Sequence, residues 1–366
     1  MPKNIPSWVK HAIFYQIFPD RFFNGDLSND PENVQSWGSK PSIWGFQGGD
    51  LAGIIKKIDY LVELGVNAIY LNHIFKASSN HRYDTIDYYQ IDPKLGNLDT
   101  FHELVKIAHK NEIKIILDGV FNYTSSDSVY FDLYKLYSSG DGACESLSSK
   151  YRDWFFFYDV APGTGLCTGS DGLENSANYI SWNGIESLPF LNSSNERVQE
   201  QFWKESQTIP IAPNWLATSG ADGWRLDTGA EIDPGVLSNP NNEYWEGFRD
   251  AIHEVNPNAY IVGETWGNAT SWTLGSEWDA GTNYLFSNAV IGFWRDEPFI
   301  DIDHNVSTDS GVIDPLLPSQ LNERLLDMQE RYAPEALAAM MNLLDSDKTN
   351  RALFMLDHNT DLNNSS

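Results

Sequence analysis

The chain has 366 residues, 41% of them apolar, enough to bury a large core in one or two domains. Its 51 acidic residues against 24 basic ones leave a formal net charge of −27, which argues against nucleic acid or an anionic membrane as a partner. No apolar stretch is long enough to span a bilayer, and no basic segment followed by an apolar run marks a signal peptide at the N-terminus.

Taken in chain order, short apolar runs of strand type recur at residues 12–18, 67–73, 114–120, 223–229 and 260–265, with weaker runs at 282–286 and 340–345. Apolar residues at helical spacing cover 98–111 and 244–256. Strands alternating with helices predict a parallel sheet built from βα units. Seven such units can be counted. An eighth strand is expected after Asn359, and the chain ends at Ser366. The predicted fold class is therefore α/β, a (β/α)8-type TIM barrel incomplete at its C-terminus.

Residues 123–180, between the third and fourth strands, are rich in Ser, Gly, Asp and aromatics. A loop that long inside a compact domain is usually functional or carries its own small fold. The run Trp154-Phe155-Phe156-Phe157-Tyr158 is too aromatic to stay solvated. The expected organisation is 1–122 as the first part of the barrel, 123–180 as a small inserted domain over the active site, and 181–366 as the second part. Cys144 and Cys167 both fall in the insert, where one disulfide and two free thiols are equally compatible with their spacing.

Two strands end in acids, in Gly223-Trp224-Arg225-Leu226-Asp227 and Val262-Gly263-Glu264-Thr265-Trp266. Acids at the carboxyl ends of adjacent barrel strands point into one shared pocket. Two carboxylates held close together, one ionised and one protonated, are what glycosidic cleavage with retention requires. In that reading Asp227 is the nucleophile and Glu264 the general acid that later activates water. Arg225, two residues before Asp227 and on the same strand face, keeps it ionised and oriented. The alternative is a purely structural salt bridge.

Further motifs in the same order carry a resemblance. Phe14-Tyr15-Gln16-Ile17-Phe18-Pro19-Asp20-Arg21-Phe22 lies at the first strand and the turn after it. Ser79-Asn80-His81-Arg82-Tyr83-Asp84-Thr85 follows the second, and Leu117-Asp118-Gly119-Val120-Phe121-Asn122-Tyr123 closes the third. From about Trp8 to about Leu356 the chain resembles the α-amylase superfamily of glycoside hydrolases, most of all its neopullulanase, cyclomaltodextrinase and amylopullulanase branch. The resemblance implies an α-glucan substrate: starch, maltooligosaccharides, pullulan or cyclodextrins. It makes Tyr83 a stacking platform under the sugar being cleaved, with His81 donating a hydrogen bond beside it. Trp266 is expected on the leaving-group side. Asp118, with Asn122, is expected to brace the pocket floor, and Glu231 is either a contact to the acceptor sugar or a solvated loop acid.

A second, oxygen-rich constellation comprises Asn24, Asp26, Asn29, Asp30, Gly48 (through its carbonyl) and Asp50. By residue type alone it reads as an Asx-rich turn. Its similarity to the calcium loop of the same branch implies a structural Ca2+ with six to eight oxygen ligands.

The departures from the pattern are as specific as the matches. The family carries His-Asp after a Ser near the end of the seventh strand. Here Ser346 is followed by Asp347 and Lys348. Ungapped, Lys348 stands in place of the third acid; with a one-residue gap, Asp347 fills that role. Tyr123 stands where the family has a sugar-binding His, and His73 replaces a Pro. These departures keep two other readings open, a catalytically impaired glucan-binding protein and a fragment with an open barrel.

Overall fold

The computed structural model describes residues 5–158, 167, 178–207, 209–233, 243–300 and 311–357. The eighth strand expected after Asn359 lies outside them, as does part of the 123–180 insert.

Seven short strands form one sheet: Phe14–Ile17, Ala68–Leu71, Lys114–Gly119, Gly223–Leu226, Tyr260–Gly263, Ala280–Asn283 and Met341–Asn342. Each pairs with the next in chain order, and every pairing is parallel. Four of the strands are buried along their whole length, as expected of parallel strands covered on both faces. Gly223 is required where the fourth and fifth strands meet, because a Cβ there would lie 2.1 Å from the Tyr260 carbonyl oxygen. The first and seventh strands stand at the two ends of the order. The result is a nearly closed barrel whose seam runs between them.

Helices cover the outside. Leu98–Lys110 starts at Asn97, whose side chain accepts from Thr100 N, and buries Phe101, Leu104, Val105 and Ala108 on one face. Tyr244–Val255 buries Trp245, Phe248 and Ile252 in the same way. The helix Ile211–Ser219 ends at Gly220 in the left-handed conformation, φ 77°. The expected strand at 282–286 is corrected by the structure. The strand covers Ala280–Asn283 and residues 284–286 open the helix Tyr284–Phe293, because the Asn283 side chain accepts from Phe286 N and starts the helix. Similarly, the run 223–229 stops as a strand at Leu226, and Gly229–Ile232 is a short helix.

After the second strand an antiparallel ribbon, Phe75–Ala77 with Thr85–Ile91, carries residues 79–84 at its tip. In the described part of the insert, Phe131 packs against Phe155, Phe157 and Tyr179. Tyr130, Tyr151 and Trp154 form a neighbouring group. Cys144 and Cys167 are bonded to each other, which decides between the two thiol readings. No helix among the described residues is long and apolar enough to cross a membrane.

Candidate active site

The parallel register sets the pocket. Asp118 on the third strand pairs with Arg225 on the fourth, and Leu226 pairs with Gly263 on the fifth. Asp227 and Glu264 are the next residues along, so they leave adjacent strands side by side at the carboxyl ends. Arg225 ties the three acids together. Its Nη1 lies 2.9 Å from Asp118 Oδ1 and 2.7 Å from Asp227 Oδ1, and its Nη2 lies 2.6 Å from Glu264 Oε1. All four side chains are buried.

Asp227 is held on both oxygens. Besides Arg225, Oδ1 has the Lys348 ammonium at 3.2 Å, and Oδ2 accepts from the Tyr123 hydroxyl at 2.7 Å. Burial works against its charge, yet Lys348 and Arg225 outweigh it and hold the carboxyl well below the usual range. Glu264 goes the other way: burial, helped by the neighbouring Asp227 charge, raises it above the ordinary glutamate value despite Arg225. Two neighbouring carboxyls are thereby pushed apart, the low one suited to stay ionised and the high one to hold a proton. Burial also pushes Asp118 up to about 7, against the pull of Arg225. Its Oδ2 accepts from Tyr70 at 2.8 Å and lies 3.1 Å from the Tyr83 hydroxyl.

The turn after the seventh strand delivers both contested residues to the pocket. Lys348, not Asp347, contacts Asp227. Asp347 is half-buried there, but its Oδ2 accepts from Tyr83 at 2.8 Å and its Oδ1 from Gln16 Nε2 at 2.7 Å. That second bond bridges the seam from the turn after the seventh strand to the first strand. A cavity of about 510 Å³ follows the seam and includes Tyr15, Gln16, Tyr70, Arg225, Tyr284 and Asp347 in its lining. A larger cleft of about 860 Å³ runs along the outer helix Pro318–Arg331 and shares none of these residues, so volume alone does not locate the site.

Residues 16–338 match the family profile described as "Alpha amylase, catalytic domain". The chain belongs to the α-amylase family. It is similar to an amylopullulanase of Thermoanaerobacter thermohydrosulfuricus, at 38% identity over 97% of this chain and 25% of that protein. It is also similar to a cyclomaltodextrinase of a Bacillus species, at 37% identity over 96% of this chain and 55% of that protein. Among solved structures it superposes on the ligand-free cyclic α-maltosyl-(1→6)-maltose hydrolase of Arthrobacter globiformis. The TM-score is 0.79 and the identity 33%, over 96% of this chain and 69% of that one. The chain thus spans about a quarter and about half of the two curated relatives.

The residues singled out by the α-amylase resemblance stand as follows. Tyr83 is buried and stacks with His81, ring centroids 5.8 Å apart; His81 Nδ1 accepts from Tyr83 N, which leaves its Nε2 as the donor. Asp118 and Asn122 brace different parts of the pocket. Asp118 holds Arg225 and Tyr70, whereas Asn122 Nδ2 donates to Glu231 Oε2 and Thr228 Oγ1, each at 3.1 Å. Glu231 also accepts from Trp182 Nε1 at 3.4 Å, so it is a tethered acid at the rim. Trp266 stacks on Tyr284 with centroids 4.1 Å apart, and the Tyr284 hydroxyl reaches Glu264 Oε1 at 3.5 Å. His73, buried and pushed down to about 3 chiefly by burial, is neutral: Nδ1 donates to the Asp118 carbonyl and Nε2 accepts from Thr85 Oγ1.

Gln16, Tyr70, Trp182 and Tyr284 entered the site unannounced. One signal was present for two of them: Gln16 and Tyr70 are register partners, polar-tipped residues inside otherwise apolar strands.

In the loop after the first strand, Asn24 Nδ2 donates to Asp30 Oδ1 at 2.8 Å, and Asn29 Nδ2 donates to Asp50 Oδ2 at 3.2 Å. Gly48, φ 83°, passes so close that a Cβ would sit 2.5 Å from both Asn24 Nδ2 and Asp30 Oδ1. The amide oxygens of Asn24 and Asn29 are buried without a hydrogen-bond partner. Orphaned amide oxygens beside carboxylates are the donor chemistry a calcium ion takes, so the residues fit the ion. Asp26 differs: it is exposed, and its Oδ1 accepts from Ser28 N and Oγ.

Proposed function

We propose that the chain is a retaining glycosidase acting on α-glucans, with Asp227 as nucleophile and Glu264 as general acid and base. The observation that carries this reading is the clamp of Arg225 on both acids at register-equivalent positions of adjacent strands. Neighbouring strands run about 4.8 Å apart, and retention calls for carboxyl groups roughly 5–5.5 Å apart. Glu264, raised by burial, protonates the leaving oxygen while Asp227, kept ionised, attacks the anomeric carbon. The bond between glycosyl group and enzyme is then broken by a water that Glu264 deprotonates.

The relatives support an α-linked glucan or cyclodextrin as the substrate class. Tyr83 and His81 form the floor under the sugar, and Trp182, Glu231 and Trp266 its rim. Asp347, pinned between Tyr83 and Gln16, takes the place next to the third acid. We read the 24–50 loop as a calcium site held by Asn24, Asn29, Asp30, Gly48 and Asp50, with Asp26 through its backbone at most. The ion's part is to stiffen the turn after the first strand.

A second reading, a glucan binder with weak turnover, draws on one observation. Asp227 Oδ1 carries two cationic partners and Oδ2 a third donor, which lowers its reactivity as a nucleophile. Turnover of a chromogenic maltooligosaccharide separates the two. We expect slow hydrolysis by the wild type, loss of it in Asp227→Asn with the fold intact, and faster hydrolysis in Lys348→Asp. Unchanged turnover in Asp227→Asn removes that residue from the nucleophile role.

A further inference from the structure

The Lys348 ammonium lies over the face of the Tyr83 ring, 4.0 Å from its centroid, and 3.2 Å from Asp227 Oδ1. The Trp182 ring flanks it at 5.9 Å. On the functional reading above, on which this inference rests, a sugar ring must stack on Tyr83 and present its anomeric carbon to Asp227. The lysine stands between those two groups. A sugar ring has no room on Tyr83 while Nζ is there. The species to be stabilised at this spot carries positive charge, since the transition state is oxocarbenium-like and faces the nucleophile. Lys348 places a cation on an aromatic face and against a carboxylate, the two contacts that such a species would make.

We infer that Lys348 is an internal ligand of the sugar-cleaving position, and that the place it vacates selects cationic sugar analogues over neutral sugars. The charges around it exclude the opposite preference. Asp118, Asp227, Glu264 and Asp347 face two cations, Arg225 and Lys348, and Arg225 is already shared by three of those acids. An anionic sugar would meet surplus carboxylates. The lysine is also able to leave. Its side chain keeps 21% exposure and ends a flexible four-carbon stem, whereas Asp347 beside it is pinned by Tyr83 and Gln16.

The test is equilibrium binding of 1-deoxynojirimycin, with its amine protonated, and of neutral maltose. Both are measured by calorimetry on the wild type, Lys348→Ala and Lys348→Met, with melting temperatures recorded for each. Lys348→Ala should tighten the amine by about tenfold or more, the equivalent of one desolvated cation–aromatic contact with its ion pair. Lys348→Met, which keeps bulk on the ring without charge, should tighten it by less and carries the test if the alanine variant does not fold. Maltose should gain less than the amine in both. No gain for the amine, or an equal gain for amine and maltose, overturns the inference. Amine gain without hydrolysis in any of the three proteins would defeat the functional reading and leave this inference standing. Hydrolysis by the wild type without amine gain would defeat the inference alone.

Discussion

Replacing Arg225 with Met removes the guanidinium shared by Asp118, Asp227 and Glu264, at 2.9, 2.7 and 2.6 Å. Asp227 keeps Lys348, but Asp118 and Glu264 lose their only ion-pair contact among the described residues. With charge centres about 4 Å apart and an effective dielectric of about 20, each lost pair amounts to about 4 kcal/mol if the acid stayed ionised. It need not stay so, because burial already raises Asp118 to about 7 and Glu264 above its usual value, and both take up protons. The loss then falls to the 3–5 kcal/mol or so seen when one partner of a buried pair is removed. At an unfolding entropy of about 2.1 cal/mol/K per residue, that lowers the melting temperature by roughly 4–7 °C.

The sign with pH follows from linkage. In the variant, Asp118 and Glu264 have folded pKa values above their unfolded ones. Their penalty grows as pH rises from the unfolded toward the folded value, and it vanishes at lower pH. In the wild type, Asp227 is depressed in the fold, so it contributes stability above its unfolded pKa that is lost as pH falls. The Asp227 contribution is already complete at pH 5, so the raised Asp118 and Glu264 alone make the deficit of Arg225→Met larger at pH 8 than at pH 5. Scanning calorimetry at the two pH values measures it, and potentiometry counts the protons taken up. Equal deficits at both pH values, or a drop below about 1 °C, would refute the electrostatic account.

Two other outcomes follow from the remaining features. Chelation should lower the melting temperature and added Ca2+ restore it, by about 2.7 kcal/mol where the ion is at a hundred times its dissociation constant; a chelator without effect returns the 24–50 loop to an ordinary Asx turn. Thiol titration in denaturant should find no free thiol before reduction and two after it, and reduction should cost about 3 kcal/mol for a loop of sequence separation 23. Two thiols before reduction would contradict the Cys144–Cys167 bond.

The barrel was readable because its strands are buried on both faces and so appear as apolar runs, and because their acids end those runs. Asp227, Arg225 and Glu264 needed only period-two alternation and parallel register to be brought together. The helix at 284–286 was hidden, since Tyr284-Leu285-Phe286 is as apolar as a strand and only the Asn283 cap turns it. The place of Asp347 and Lys348 was undecidable by alignment for a physical reason. Both side chains enter the pocket, one to Tyr83 and Gln16 and the other to Asp227, so neither reading of the gap describes the site alone. Tyr70, Trp182 and Tyr284 look like core aromatics in the sequence; only the fold shows their polar atoms turned toward carboxylates.

Because the strands lie in the sheet in the order they occur in the chain, each one emerging from a ribosome finds its neighbour already made. The pocket's charges are assembled on the same schedule. Asp118 emerges first, and burial opposes its charge until Arg225 arrives. Arg225 and Asp227 follow together on the next strand and compensate each other. Glu264, raised by burial and suited to hold a proton, then adds little, and Asp347 and Lys348, last to appear, cancel each other. At no stage of synthesis does the nascent barrel have to bury more uncompensated charge than the finished one.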